Sequence, residues 1–409
     1  MTDAAAATTQ ESEAAGASVK RVQGGGAGGV MPVVIGVIVI AVIFQSLNGH
    51  FLSTGNLVNL LVQASVFMII GMGEVFVLLL GEIDLSLGYV AGIGGVVVTE
   101  LVQVRTGWPW YAAIAAALVV TAAIGFLQGT LITRLRLPSF VVTLAGLLGW
   151  QGVMIILLGT GGTIPIPDAT INAIANGTMS PLAGWVLAVV IVGAYAYLTF
   201  RSDGRRRASG LAAPRLSTTL LKVVGVAVAA ALVTLLTNVN RGVGVYTLRG
   251  MPYVLPLVFA VLVLWSVVLT RTRFGRYVYA IGGNAEAARR AGISLPWVRT
   301  VAFSLAGVTA GVGGIVYASR LRSISTSFDG GTIVLYVVAT AVIGGTSLFG
   351  GRGHPLHAVL GGVVIAAIVN GMALLGFSAA IQLIATAVVL LASIMVDVII
   401  RQRGSTARA

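Results

Sequence analysis

The chain has 409 residues, 57% of them hydrophobic and 9% charged, with a mean hydropathy of +1.00 and a formal net charge of +13. No water-soluble core needs that much apolar surface, so the composition defines an integral membrane protein, and its basic excess is a matter of membrane orientation rather than nucleic-acid binding. The absence of cysteine excludes disulfides, thiolate metal sites and a cysteine nucleophile.

Residues 1–29 contain Ala, Thr, Ser, Glu and Gly with no apolar run, so a disordered cytoplasmic tail is expected there rather than a signal peptide. The glycines at its end, Gly24 to Gly29, follow no strand and read as a hinge, not a dinucleotide loop. From Val30 onward, apolar stretches of about 20 residues, enough to cross roughly 30 Å of hydrocarbon as helix, succeed one another. They fall near 30–47, 57–80, 87–104, 108–132, 140–158, 181–200, 220–236, 253–270, 298–318, 332–348, 356–375 and 381–400. Residues 30–400 are therefore predicted as an all-α, polytopic transmembrane bundle of ten to twelve spans, because backbone groups in lipid must pair within their own segment and no alternating barrel pattern occurs. Residues 401–409 form a second tail.

An N-terminus inside leaves only Arg105, Arg241, Arg249, Arg320 and Arg322 of the 25 basic residues outside, which places both termini in the cytoplasm. Trp108, Trp110 and Trp297 then sit at span ends, as an aromatic belt requires. Two glycine-rich breaks, 81–88 and 343–357, interrupt the apolar pattern. Each is either an ordinary cytoplasmic turn or the meeting point of discontinuous helices lining a cavity. Their similar placement after an in-to-out span suggests a parallel internal repeat.

Charge inside the spans reduces to the carboxylates Glu74, Glu82, Asp84, Glu100 and, near the end, Asp397. Each costs on the order of 2.5 to 3.5 kcal/mol at a helix centre, so each should face protein, water or a partner. Glu82 and Asp84 have two readings: lining a pathway for a cation, proton or polar solute, or holding the broken backbone, with Asp84 and Ser86 capping the helix that starts at Leu87. Glu74 and Glu100 read as fold contacts or snorkelling groups, and Asp397 as an ion pair with Arg401. His354 and His357 flank Pro355 in a loop and do not read as a metal site, and the sequon Asn176-Gly177-Thr178 has an ordinary loop reading.

The only lysines, Lys20 and Lys222, are followed by Arg and Val, so the chain has no Walker A loop and any ATP hydrolysis belongs to a partner subunit. The basic cytoplasmic loop 271–297 contains a short run of helix formers, Ala285 to Ala291, capped by Asn284 and closed by Gly292. A short exposed helix between two spans suits the transmission of a partner's motion into the membrane.

Four motifs, Glu-Ile-Asp-Leu-Ser-Leu-Gly at 82–88, Pro-Ser-Phe-Val-Val-Thr-Leu-Ala-Gly at 138–146, Ala-Ile-Gly-Gly-Asn-Ala-Glu-Ala-Ala-Arg at 280–289 and Ile-Gly-Gly-Thr-Ser-Leu-Phe-Gly-Gly at 343–351, occur in an order and spacing that resembles the ribose/xylose-type permease family of bacterial sugar ABC transporters. The acidic residue at Glu82 and the extra basic loop around Arg205-Arg206-Arg207, with its additional span before Asn240-Arg241, resemble the xylose branch. The resemblance implies a non-enzymatic subunit of the cell membrane, without cofactor or metal. Its implied partners are a second permease copy, a cytoplasmic ABC ATPase, an extracytoplasmic sugar-binding protein and membrane lipid. It implies candidate pathway residues Glu82, Asp84, Ser86, Phe140 and Thr143, and candidate ATPase-coupling residues Gly283, Asn284, Ala285, Glu286, Ala287, Ala288, Arg289 and Gly292. At 334–339 the chain departs from the family, with Val-Leu-Tyr-Val-Val-Ala where relatives carry acidic residues. The alternative class is an ion- or proton-coupled secondary transporter using Glu82 and Asp84.

Overall fold

The computed structural model describes residues 30–242, 247–388, 391 and 395. In chain order it runs α1 (Val30–Leu47), α2 (Thr54–Leu79), α3 (Leu87–Leu101), α4 (Trp110–Arg134), α5 (Ser139–Leu158), strand β1 (Thr163–Pro165) and α6 (Ala169–Asn176). There follow α7 (Pro181–Ala208), α8 (Leu216–Asn238), α9 (Val254–Arg271), α10 (Arg273–Gly283) and α11 (Ala285–Arg290). The chain continues with α12 (Leu295–Leu321), strand β2 (Ser323–Ser325), α13 (Gly330–Ile343), α14 (Pro355–Leu374) and α15 (Ala379–Val388). Eight of these helices are long and apolar enough to cross a membrane, and α1, α3, α13 and α15 are shorter apolar helices. Every predicted span thus coincides with a helix, the end of the last lying outside the described residues.

The membrane-crossing segments of the long helices are apolar on all sides, as lipid and a buried interior both demand. What separates them is burial. Almost all of α2 is enclosed, while α5, α7 and α8 expose most of their surface. The central helix α2 packs against α3, α9, α12, α13 and α14. Small residues permit the closest approaches: a Cβ at Gly125 of α4 would lie 2.2 Å from the Phe303 carbonyl of α12, and one at Gly307 would lie 2.3 Å from the Thr121 carbonyl. Backbones in contact are how helices gain packing energy where lipid removes the hydrophobic drive.

Strands β1 and β2 pair antiparallel with Ile164 opposite Ile324. Helix α6 lies between two predicted spans, in a stretch too short to register as a span itself. Asp168 caps it by accepting from the Ile171 N–H at 2.8 Å, and the Asn176 amide donates to the Ser319 carbonyl at 2.6 Å, so the sequon asparagine fastens α6 to α12. A correction concerns α7, which runs beyond residue 200 to Ala208 and buries Asp203, whose carboxylate accepts from Thr219 Oγ1 of α8 at 2.6 Å. The loop 271–297 also holds two helices rather than one. Thr272 caps α10 through the Gly275 N–H at 3.2 Å, and Val278 and Ile281, three residues apart, bury one face.

Candidate functional site

The central helix α2 ends at Leu79 because Gly81 takes a left-handed φ of 76° and turns the chain, and helix resumes only at Leu87. The intervening segment must find partners for its backbone away from water. Glu74 lies five residues before the end of α2, about 7.5 Å along its axis, and accepts from the Asp84 N–H at 3.3 Å. Asp84 Oδ1 accepts from both the N–H and the hydroxyl of Ser86, at 2.9 and 2.6 Å. With its one proton given to Asp84, the Ser86 oxygen accepts from Gln128 Nε2 of α4 at 2.9 Å. The result is a directed chain from amide to hydroxyl to carboxylate. All four side chains are buried, and Glu74 Oε2 and Asp84 Oδ2 have no partner among the described residues. Thr143 of α5 donates to the Ile83 carbonyl at 3.2 Å and ties the break to a third helix.

This arrangement corrects the capping expectation. Ser86 occupies the position before α3, yet its side chain makes no cap bond, and both Asp84 bonds go to Ser86 instead of the first turn of the helix. Competition from Gln128 and Asp84 for the same hydroxyl is the reason. Glu82 and Asp84 also part company: Glu82 leaves the cluster for Arg299 of α12 at 3.0 Å, beside a cavity of about 330 Å³ walled by Arg136, Ser139 and Pro296. Glu74, read from sequence as a fold contact or snorkelling group, is enclosed and bonded to the break. Phe140 is 53% exposed on the outside of α5 and does not join the site. Glu100 pairs with Arg105 at the C-terminal end of α3, and Asp397 lies outside the described residues.

The second break meets the first. The Gly351 N–H donates to the Leu79 carbonyl at 2.9 Å, and Gly350 and Gly351 adopt φ of 82° and 73° to make that approach. Gly282, near the end of α10, lies against both: a Cβ there would be 1.8 Å from the Leu79 oxygen and 2.5 Å from the Gly351 nitrogen. The Tyr279 hydroxyl adds a bond to the Gly353 carbonyl at 2.8 Å. The two breaks and the loop 271–297 therefore share one backbone junction.

Beyond Gly282, and after the exposed Gly283, the Asn284 side chain accepts from the Ala287 N–H at 2.9 Å, and the chain leaves α11 through Gly292 at φ 83°. Ala288 faces inward, Ala285 packs partly against the core, and Ala287, Glu286, Arg289 and Arg290 face solvent. Hydrogen bonds from Arg289 and then Arg290 hold the Glu286 carboxyl below the usual carboxylate range. His354 caps α14 through the Leu356 N–H, His357 lies beside Thr346, and no group of metal-ligating side chains occurs among the described residues.

Eight helices long and apolar enough to span a bilayer, packed around an enclosed polar cluster at a broken helix, define a polytopic helical membrane protein. The chain belongs to the family described as branched-chain amino acid transport system / permease component, whose model matches residues 56–394. It is 33% identical over 381 residues to the xylose transport system permease protein of Escherichia coli (strain K12), covering 92% of this chain and 93% of that one. To the xylose permease protein of Haemophilus influenzae it is 34% identical, over 90% of this chain and 96% of the relative. The ribose import permease protein of E. coli K12 is 30% identical over 89% and 92%. No solved structure matches the chain significantly.

Proposed function

We propose that this chain is the membrane-spanning permease of an ATP-driven importer of a monosaccharide, D-xylose or a related pentose. Full-length similarity to xylose and ribose permeases supports the cargo class. The missing Walker lysine assigns hydrolysis to a separate ATPase, and an extracytoplasmic binding protein and a second copy of this chain complete the assembly. The same order in both halves of the chain, two helices, a glycine break and a further helix, supports a parallel repeat.

The observation that carries the mechanism is the junction of Gly282, Leu79 and Gly351. In this reading the ATPase grips α11, including Ala285, Glu286, Ala287 and Arg289, between the Asn284 cap and Gly292. A displacement of α11 moves α10, and because α10 touches the breaks through backbone atoms, the ends of α2 and α13 move with it. Asp84, Ser86 and Thr143 then shift against Gln128 and α5, and Glu82 controls the cytoplasmic mouth through Arg299. No group in this set does covalent chemistry.

A second reading, proton- or cation-coupled transport, draws on the unpartnered Glu74 and Asp84 oxygens. The two are separated by reconstituting the permease with its ATPase and binding protein and measuring labelled D-xylose uptake. Uptake that needs internal ATP and ignores a proton gradient is expected. Accumulation driven by the gradient without ATP would overturn the importer.

A further inference from the structure

A second polar space lies away from the break. A cavity of about 310 Å³ opens between α2, α12, α13, α14 and α15 in the half of the bundle bearing β2 and Arg320, and its volume is at the lower end of the roughly 300 to 1,000 Å³ of small-molecule sites. Its aromatic wall is rigid. Phe67 and Tyr336 meet edge to face at 5.5 Å, and the Tyr336 hydroxyl bonds to Thr386, whose own hydroxyl donates to the Gln382 carbonyl at 2.8 Å. Tyr336 therefore offers ring surface rather than a free phenol. Its polar wall is unspent. The Gln63 amide and the part-buried Arg320 guanidinium make no hydrogen bond or ion pair within the described residues, and Asp329 is turned back onto Thr332.

Donors without a protein partner, in the same cavity wall as held aromatic rings, suit a compact ligand with one apolar C–H face and a rim of hydroxyls. A lipid chain would leave Gln63 and Arg320 unpaired, whereas a single sugar ring fits within the space and can pair with both. We infer that this cavity is a monosaccharide subsite of the permease itself, in which Phe67 and Tyr336 take the ring face while Gln63 and Arg320 donate to hydroxyls. The inference rests on the importer reading and deepens it, since it gives the membrane subunit a recognition step of its own.

The test uses the reconstituted importer and, in parallel, equilibrium binding of labelled D-xylose to purified permease–ATPase complex without binding protein. Gln63→Leu removes a donor at similar size, and Val369→Phe fills the cavity from α14. Basal ATP hydrolysis and a monodisperse elution profile show that each variant is assembled. Gln63→Leu should raise the half-saturating xylose concentration about fivefold, the loss of one hydrogen bond, and Val369→Phe should abolish binding. Binding that both variants weaken supports the subsite even where uptake proves not to need ATP. Wild-type uptake with half-saturation unchanged in both assembled variants overturns the subsite and leaves the importer standing. Absence of both binding and uptake in the wild type overturns both.

Discussion

Replacing Gly282 by Ala tests the junction directly. The added methyl would sit 1.8 Å from the Leu79 oxygen and 2.5 Å from the Gly351 nitrogen, against about 3.4 Å for ordinary contact, and both neighbours are backbone atoms that cannot rotate away. Relief requires α10 to retreat from the breaks by an ångström or more. Overpacking of this kind costs about 1 to 3 kcal/mol, set against up to about 1 kcal/mol gained from the better helix propensity of Ala. The neighbouring Gly283→Ala has the same propensity change and no atom within 4 Å of the new methyl, so it serves as the matched control. Thermal unfolding of the purified complex should show Gly282→Ala less stable than Gly283→Ala by about 1 to 3 kcal/mol. In the proposed importer Gly282→Ala should also retain ATPase binding while losing most sugar-dependent ATP hydrolysis, because the loop no longer bears on α2. Equal stability and equal coupling in the two variants would refute the claim that motion passes through this backbone contact.

Three further outcomes follow from the same geometry. Gln128→Leu removes the amide that donates to Ser86 and should destabilise the protein by about 1 to 3 kcal/mol in thermal unfolding, whereas Leu148→Met on the exposed face of α5 should fall within about 0.5 kcal/mol. A double-mutant cycle of Glu82→Gln and Arg299→Met should return a coupling of about 1 to 2 kcal/mol, between exposed and buried ion pairs, because the side chains are 15% and 29% exposed. The Glu286 carboxyl is held below its ordinary range, so its support of α11 is complete above the ordinary carboxylate pKa and is lost as pH falls through the lowered one. Amide exchange in Ala287–Ala291, corrected for intrinsic rates, should therefore stay flat from pH 7 to about 5, while Glu286→Gln raises it across that range.

Spans were legible because their signal is one-dimensional: an apolar run of sufficient length is a helix in lipid whatever it packs against. So was α11, whose cap, Asn284, and stop, Gly292, act within a few residues. Helix α10 was missed although Val278 and Ile281 carry a helical spacing, because Gly275, Gly282 and Gly283 read as loop; Gly282 is there for the approach to Leu79, a contact over 200 residues away in sequence. Asp203 was hidden for a related reason, since nothing local says that α8 returns to cover it. At the break, sequence singled out Glu82 and Asp84 as a pair because they are two residues apart. Their separation in space depends on Arg299 and Gln128, each supplied by a different helix. Glu74 was undervalued on the same ground, its partner being ten residues on and across a turn.

In the proposed importer, the buried cluster makes the structural and functional readings of Asp84 the same reading. Between Leu79 and Leu87 the backbone has few helical partners left, and those it finds come from the site itself: Glu74 takes the Asp84 N–H, Asp84 takes the Ser86 N–H, Thr143 serves the Ile83 carbonyl, and Gly351 serves Leu79. A carboxylate that holds a broken backbone in place is normally a reason to expect rigidity. Here two acceptor oxygens, Glu74 Oε2 and Asp84 Oδ2, remain unspent in a region where an unpaired polar atom costs about 1 to 3 kcal/mol. That cost falls on this arrangement of the helices, so any other arrangement that supplies donors to those atoms closes part of the gap between the two. A ligand or partner shifts such an equilibrium only by its differential affinity, and a cluster with unspent capacity lowers the differential required. In the proposed importer, the junction at Gly282 is the place from which the ATPase applies it.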